Sequence, residues 1–493
     1  MRTDLTTAVF RLRSRLRAFW ACVAVIAVFA APTGGGAAAY AAPDLPTGPM
    51  TLVLHKYAQP EVPGSPVDGL PIDPAQLAGH APIGGVDFAA TFVPGIDLST
   101  DEGRAAAAAL TPAEAALLVA GQPATATART DVAGEARMAG LRVGLYYVSE
   151  TSAPPGVLRA APFLVPLPMA SPDSSGAWLT TVHVYPKNPV VDVTLTVRDR
   201  DAISCGDTVS WSSLSAIPRQ AQIASYRLQH LMPLGVVLDS AFPDVAVSLT
   251  GAGALVFGDD YTISSVDADG LHGFETVFTA QGLAKLAAHP EAQLAVDYNT
   301  HVTSMGEFTT EVRLFAGNAD PVRSTATTKF GPLGILVSER GDPGNLIKGA
   351  DFELFLTPED ARSGSNSISV GGVSAWSTDA DGLIMIGCLR LSNFADGLDR
   401  APGSALFRFY FAAPTSYPAG WTGETMVLRG VVGSVSRPEI LHAEVWRADP
   451  ASPPPLLSVT GGRIVGGLLL GAALLGVGAL LLGRRRANRA VRG

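Results

Sequence analysis

The apolar runs of this chain are short and alternate with polar residues, and that pattern restricts its fold more than any other feature. Thr51 to His55, Val182 to Tyr185, Val193 to Val197, Val245 to Leu249, Leu333 to Val337 and Leu406 to Phe411 are all brief, and Gly, Pro, Asp and Asn separate them. A period of two sends successive side chains to opposite faces of a strand. Runs of this kind between turn residues specify an all-β sandwich architecture. Two stretches differ. Arg104 to Val119 is Ala-rich, follows Ser99-Thr100-Asp101-Glu102 and contains Thr111-Pro112-Ala113-Glu114, which predicts one or two short helices. Thr279 to Ala288 predicts another. A hydrophobic content of 47% is enough to bury real cores.

A length of 493 residues is enough for about three domains. Breaks are expected at Lys187-Asn188-Pro189 and Asn318-Ala319-Asp320-Pro321, giving modules over 42–188, 189–325 and 326–452. Residues 1–41 read as a secretory signal peptide: arginines at 2, 11, 13, 15 and 17, an apolar run from Ala18 to Ala31, and Ala39-Tyr40-Ala41 before the cleavage point. Cys22 would leave with it. Residues 453–493 hold a stiff Pro453-Pro454-Pro455 spacer, then Leu457-Ser458-Val459-Thr460-Gly461, a 19-residue uncharged apolar stretch from Ile464 to Leu482, and Arg484-Arg485-Arg486. The stretch is just long enough for a transmembrane helix, and the arginines put its end on the cytoplasmic side.

Composition removes several function classes. A net charge of −9 argues against binding nucleic acid through phosphate neutralisation. Three cysteines exclude a disulfide-rich scaffold, and the eight histidines lack metal-ligand spacing, so no metal is expected. No G-x-S-x-G, phosphate loop or dinucleotide fingerprint occurs, so no cofactor and no enzymatic activity are expected. Asp97-Leu98-Ser99-Thr100-Asp101 reads as a turn or helix cap rather than a cation site. Only five lysines are present, Lys56, Lys187, Lys285, Lys329 and Lys348, so any chemistry that needs a primary amine has few candidates.

The segment Trp178-Leu179-Thr180-Thr181-Val182-His183-Val184-Tyr185-Pro186-Lys187-Asn188 is the most specific motif. Alternation puts Val182 and Val184 on one face and His183 on the other. Pro186 ends the strand, because it has no N–H for a ladder. Spacing alone makes Lys187 a solvated lysine after an edge strand. However, the string closely resembles the pilin motif of sortase-assembled Gram-positive major pilins. Leu457 to Gly461, with the apolar stretch and arginines behind it, resembles the same family's LPXTG-type cell-wall sorting signal, with Ser458 where the family has Pro. Thr51 to Tyr57 resembles the family's first strand, Leu145 to Gly156 its E-box, and Gly349 to Leu354 the opening of its third domain.

The resemblance implies tandem Ig-like (CnaA/CnaB-type) sandwiches and a cell-wall fimbrium. A sortase would join Thr460 of one subunit to Lys187 of the next. Implied partners are the sortase, identical subunits, peptidoglycan, tip or basal pilins, and host or bacterial surface ligands. It also implies an intramolecular Lys–Asn amide in the first domain, from Lys56, Glu150 and Asn188. In the second domain Val193 and His230 stand at the lysine and acid positions, although Asn318 keeps the amide. In the third, Leu333 to Arg340 has no lysine, and Pro414 stands where the E-box glutamate belongs. At most one internal amide is therefore expected. Cys205 and Cys388 fall in different modules and can pair only if the fold brings them close. The alternative reading is a wall-anchored adhesin, or a minor or basal pilin, that does not polymerise.

Overall fold

The computed structural model describes residues 45–59, 68–172, 177–239 and 241–448. The expected signal peptide, the Pro453 to Pro455 spacer, the Leu457 to Gly461 motif, the apolar stretch and the arginine tail lie outside the described residues. Among the described residues no helix is long and apolar enough to cross a membrane. The chain divides into two compact units, one ending at Pro189 and the other starting at Val190.

In the first unit the strands are β1 (Met50–His55), β2 (Tyr57–Ala58), β3 (Asp87–Phe92), β4 (Ala126–Arg129), β5 (Glu135–Leu141) and β6 (Gly144–Ser152). They continue as β7 (Phe163–Leu167), β8 (Met169–Ala170), β9 (Trp178–Leu179), β10 (Thr181–Val184) and β11 (Lys187–Asn188). One sheet has the order β10-β1-β5 and the other β4-β3-β6-β7. Met50, Leu52, Leu54, Phe88, Tyr146, Val148 and Val182 fill the space between them. The first and last strands run parallel, β1 beside β10 and β2 beside β11. The Ala-rich segment forms α1 (Asp101–Ala109) and α2 (Pro112–Leu118). Thr100 caps α1, while Thr111 and Glu114 form a reciprocal capping box on α2.

The second unit opens with β12 (Val193–Arg198), β13 (Thr208–Ala216) and β14 (Tyr226–Met232). β12 and β13 form a sheet with the strands Gln293–Val302 and Ala246–Leu249. β14 lies between Leu271–Phe278 and Gly306–Ala316 in the facing sheet. Thr279 caps a third helix, α3 (Ala280–Ala288). A fourth, α4 (Pro358–Ser363), was not anticipated, although Thr357 caps it through a recognisable Thr-x-x-Asp start.

The strand Val322–Glu339 is 18 residues long and crosses the expected 325/326 break. Its first half pairs with Gly306–Ala316; its second half pairs antiparallel with Leu383–Arg390 and parallel with Glu439–Arg447. Asn318 to Pro321 makes the turn into this strand rather than a linker, so the two halves of the unit share one continuous backbone ladder. The Leu406 to Phe411 run becomes strand only from Tyr410. Before that point the Arg408 N–H donates to the Ser392 carbonyl and its guanidinium reaches the carbonyls of Arg200 and Ala202.

In the second half of this unit the buried Thr378 hydroxyl accepts from Ala350 N at 2.9 Å and donates to the Ile347 carbonyl at 2.7 Å. Thr378→Val keeps the shape but removes both bonds. It should lower unfolding stability by about 1–3 kcal/mol, read as a fall in Tm; an unchanged Tm would show that the hydroxyl is dispensable.

Candidate functional site

Alternation along β1 carries Leu52 and Leu54 inward, and the next inward position is Lys56, whose side chain is fully buried. Its ammonium contacts Glu150 Oε1 and Asn188 Oδ1. Asn188 Nδ2 donates to Glu150 Oε2 at 2.7 Å, and Ala160 N donates to the same oxygen at 3.1 Å. The Glu150 side chain is 1% exposed and Asn188 is fully buried. The Phe88 ring lies 5.8 Å from the Lys56 nitrogen and closes the apolar side. The structure thus brings together all three residues that the sequence nominates for an internal amide.

Each residue is delivered by a backbone feature. Glu150 faces Phe88 across β3 and β6, where a bulge between Asp87 and Phe88 sets the register. Asn188 arrives through the parallel pairing of Tyr57 with Lys187 and Ala58 with Asn188. Lys56 itself sits at the β1–β2 junction, where its N–H donates to the Gly134 carbonyl at 2.7 Å. Gly134 has φ +77° and a Cβ there would lie 2.4 Å from the Lys56 carbonyl oxygen, so only glycine fits.

Burial lowers the Lys56 pKa to about 8, with desolvation outweighing the opposing attraction of Glu150. A neutral amine is the nucleophilic form. Attack of Nζ on the Asn188 side-chain carbonyl carbon would form one C–N bond. Glu150 touches both nitrogens, so it can take the amine proton and pass it to Nδ2. The bond from that carbon to Nδ2 then breaks and ammonia leaves.

Lys187 lies one residue before Asn188. It is partly buried, and among the described residues its ammonium has no hydrogen-bond or ion-pair partner. Within the same motif Val182 enters the core, Val184 packs at its edge and Trp178 lies in β9. Tyr185 OH accepts from Ile72 N at 2.8 Å, and its ring stacks 4.5 Å from His55. His183 faces outward and shares a 2.9 Å ring-nitrogen hydrogen bond with His55. Burial lowers the pKa of both histidines, and at His55 the neighbouring His183 lowers it further. The His55 side of this stack was not anticipated; its signal was the outward position on β1.

The second half of unit 2 repeats the frame of unit 1 with different side chains. Thr130 makes the same pair of bonds as Thr378, to Val86 N and the Ile83 carbonyl. Val337 N donates to the Gly382 carbonyl as Lys56 N does to that of Gly134. Phe352 faces Pro414 after a bulge at Asp351, as Phe88 faces Glu150 after a bulge at Asp87. Two residues beyond Val337, Glu339 pairs in parallel with Val445, as Ala58 pairs with Asn188. The trio Lys56, Glu150 and Asn188 therefore corresponds to Val337, Pro414 and Val445. In the first half of the unit Val193 is buried on β12, and His230 is enclosed by Ser213, Phe274 and Tyr298. Full burial pushes the His230 pKa down to about 3, which keeps the ring neutral.

Cys205 and Cys388 form a disulfide with a Cα–Cα separation of 5.2 Å. Among the described residues no group of three or more His, Cys, Asp and Glu side chains could hold a metal ion.

The site is a buried Lys–Glu–Asn cluster inside a β-sandwich, with Lys187 one residue from its asparagine. Residues 47–189 match the model of the N-terminal D1 domain of Gram-positive pilin subunits. The chain is 28% identical to fimbrial subunit type 2 of Actinomyces naeslundii over 75% of its own length and 77% of that protein's. It is 25% identical to fimbrial subunit type 1 of Actinomyces viscosus, over 74% and 77% of the two lengths. Among solved structures, the full-length major pilin SpaD of Corynebacterium diphtheriae superposes with a TM-score of 0.64 at 22% identity, covering 82% of this chain and 98% of SpaD. The major pilin SpaA of the same organism gives 0.59 at 22%, covering 81% and 100%. Residues 47–189 thus match a pilin D1 domain, and most of the chain is similar to fimbrial subunits in sequence and to major pilins in fold.

Glu150→Gln should abolish spontaneous amide formation, so that the variant keeps the full mass of its own sequence while wild type falls one ammonia below its own; a mutant that still loses ammonia would remove Glu150 from the relay. In freshly refolded wild type the rate of ammonia loss should climb with pH, about tenfold per unit, and level off above the Lys56 pKa of about 8. A flat profile by timed mass spectrometry would show that deprotonation of Lys56 does not limit the reaction.

Proposed function

We propose that this chain is a shaft subunit of a covalently polymerised pilus, joined between subunits by an amide from Thr460 to Lys187. A sortase thiol would attack the Thr460 carbonyl within Leu457-Ser458-Val459-Thr460-Gly461, with the Gly461 amine leaving. The Lys187 amine of another subunit would then attack the resulting thioester, and the thiol would leave. The last subunit would pass to a peptidoglycan amine instead, leaving the fibre on the wall. The chain is then the substrate of a transpeptidase and not itself an enzyme. Its precursor is held at the membrane by the apolar stretch and arginine tail.

The observation that carries this reading is the placement of Lys187. It lies at the end of a pilin D1 domain, without a charge partner among the described residues, on the strand that also presents Asn188 to Lys56. A lysine that served only solubility would need no such placement. We read the mature chain as three sandwiches over 42–188, 189–325 and 326–452, with one internal amide, from Lys56 to Asn188. Tip or basal pilins and host or bacterial surface ligands are the further partners this role implies. A wall-anchored adhesin or minor pilin would carry the same exit signal but would need no acyl acceptor.

Boiled, detergent-treated wall extracts of the native host, immunoblotted for wild type and Lys187→Ala, test the reading. A high-mass ladder that collapses in the mutant is expected. A single anchored band in both strains would favour the non-polymerised adhesin.

A further inference from the structure

In the reading just given, on which this inference rests, tension enters each subunit at Lys187 and leaves at Thr460. It must then cross the whole of unit 2, where Val337, Pro414 and Val445 replace one reactive trio and Val193 and His230 replace two members of another. No lysine–asparagine clasp shortens that route. The disulfide between Cys205 and Cys388 joins positions 183 residues apart. Cys205 lies in the loop after β12, the first strand of the unit, and Cys388 lies in Leu383–Arg390, in the second half.

We propose that the Cys205–Cys388 bond is a mechanical bypass, carrying tension directly from the loop after β12 into the strand Leu383–Arg390. The residues between the two cysteines include β13, β14, α3 and the long strand Val322–Glu339, and under the bypass none of them can be drawn out by axial pull. A single bond thus does for two sandwiches what an internal amide does for one.

The surroundings support a junction built to hold. Cys205 N donates to the Cys388 carbonyl and Arg390 N to the Ile203 carbonyl, both at 2.9 Å, so the loop is laced to the strand by backbone bonds on either side of the disulfide. Close by, Asp199 and Asp396 cap one another. Asp396 N donates to Asp199 Oδ1 at 2.6 Å, and Asp199 N donates to Asp396 Oδ1 at 3.2 Å. The Arg408 guanidinium donates to the carbonyls of Arg200 and Ala202. Cys388 has φ +64°, a left-handed conformation rare for a residue with a side chain. It sits where the ladder with Val322–Glu339 shifts register, and such a bulge re-aims a side chain.

The test holds the mature chain between handles on its two ends at constant force. The oxidised chain should never release the segment between the cysteines. Adding a phosphine reductant under load should produce one further step, a contour-length gain of about 60–66 nm, from 183 residues at roughly 3.3–3.6 Å each. The double variant Cys205→Ser/Cys388→Ser should release that length without reductant; if it does not fold, the wild-type reduction step still decides. Absence of the step, or its full length already released from the oxidised chain, would overturn the bypass. The experiment involves no sortase. A missing step alongside a Lys187-dependent ladder therefore sinks the bypass alone, and a missing ladder sinks the load route with the shaft reading.

Discussion

Burial of one ammonium is the constraint around which the N-terminal unit is arranged. An isolated charge taken out of water costs several kcal/mol even after relaxation, and the folded chain recovers that only through close, well-directed partners. Glu150 and Asn188 are those partners, and both must reach a point inside the sandwich from strands distant in sequence. The parallel pairing of the first and last strands brings Asn188 there, and the bulge opposite Phe88 brings Glu150. The same burial that makes Lys56 expensive also brings its pKa close enough to neutrality to make it a nucleophile. Structural cost and chemical capacity have a single origin.

Much of this was legible in the sequence because it followed from period and punctuation. Alternation through Thr51 to His55 fixes which face Lys56 occupies once β1 is placed, and Pro186 marks the strand end that leaves Lys187 displayed. Helix starts were readable where a hydroxyl cap precedes an acidic turn, as at Thr100 and Thr111. Other features depend on contacts that no local pattern records. Asn318 to Pro321 has the composition of a linker, yet the backbone there only turns, because Val322 immediately pairs back onto Gly306–Ala316. Leu406 to Phe409 alternates like a strand but is held out of the ladder by Arg408 and its carbonyl partners. The pairing of Cys205 with Cys388 required the fold of a whole unit to be known. The counterpart of Asn188 in the second unit, Val445, emerges only from strand register, since nothing about a valine announces a lost amide.

The two units reach cohesion by different means. The first concentrates it in one polar cluster inside an apolar sandwich. The second neutralises His230 by burial, and ties its halves through a shared strand, a pair of mutually capping aspartates and a disulfide. The first arrangement is self-contained, and the amide proposed for it would need only deprotonation and the loss of ammonia. The second needs an oxidising environment, which a surface protein meets outside the membrane.

The repeated frame around Thr130 and Thr378 is, in effect, a knockout already made by the molecule. The same turn glycine, the same threonine hub, the same bulge and the same parallel pairing recur around Val337, Pro414 and Val445, with no reactive group among those three. The architecture therefore does not need the chemistry in order to form. Where the trio is present, the order of folding is implied: the sandwich must close before the lysine and asparagine can meet.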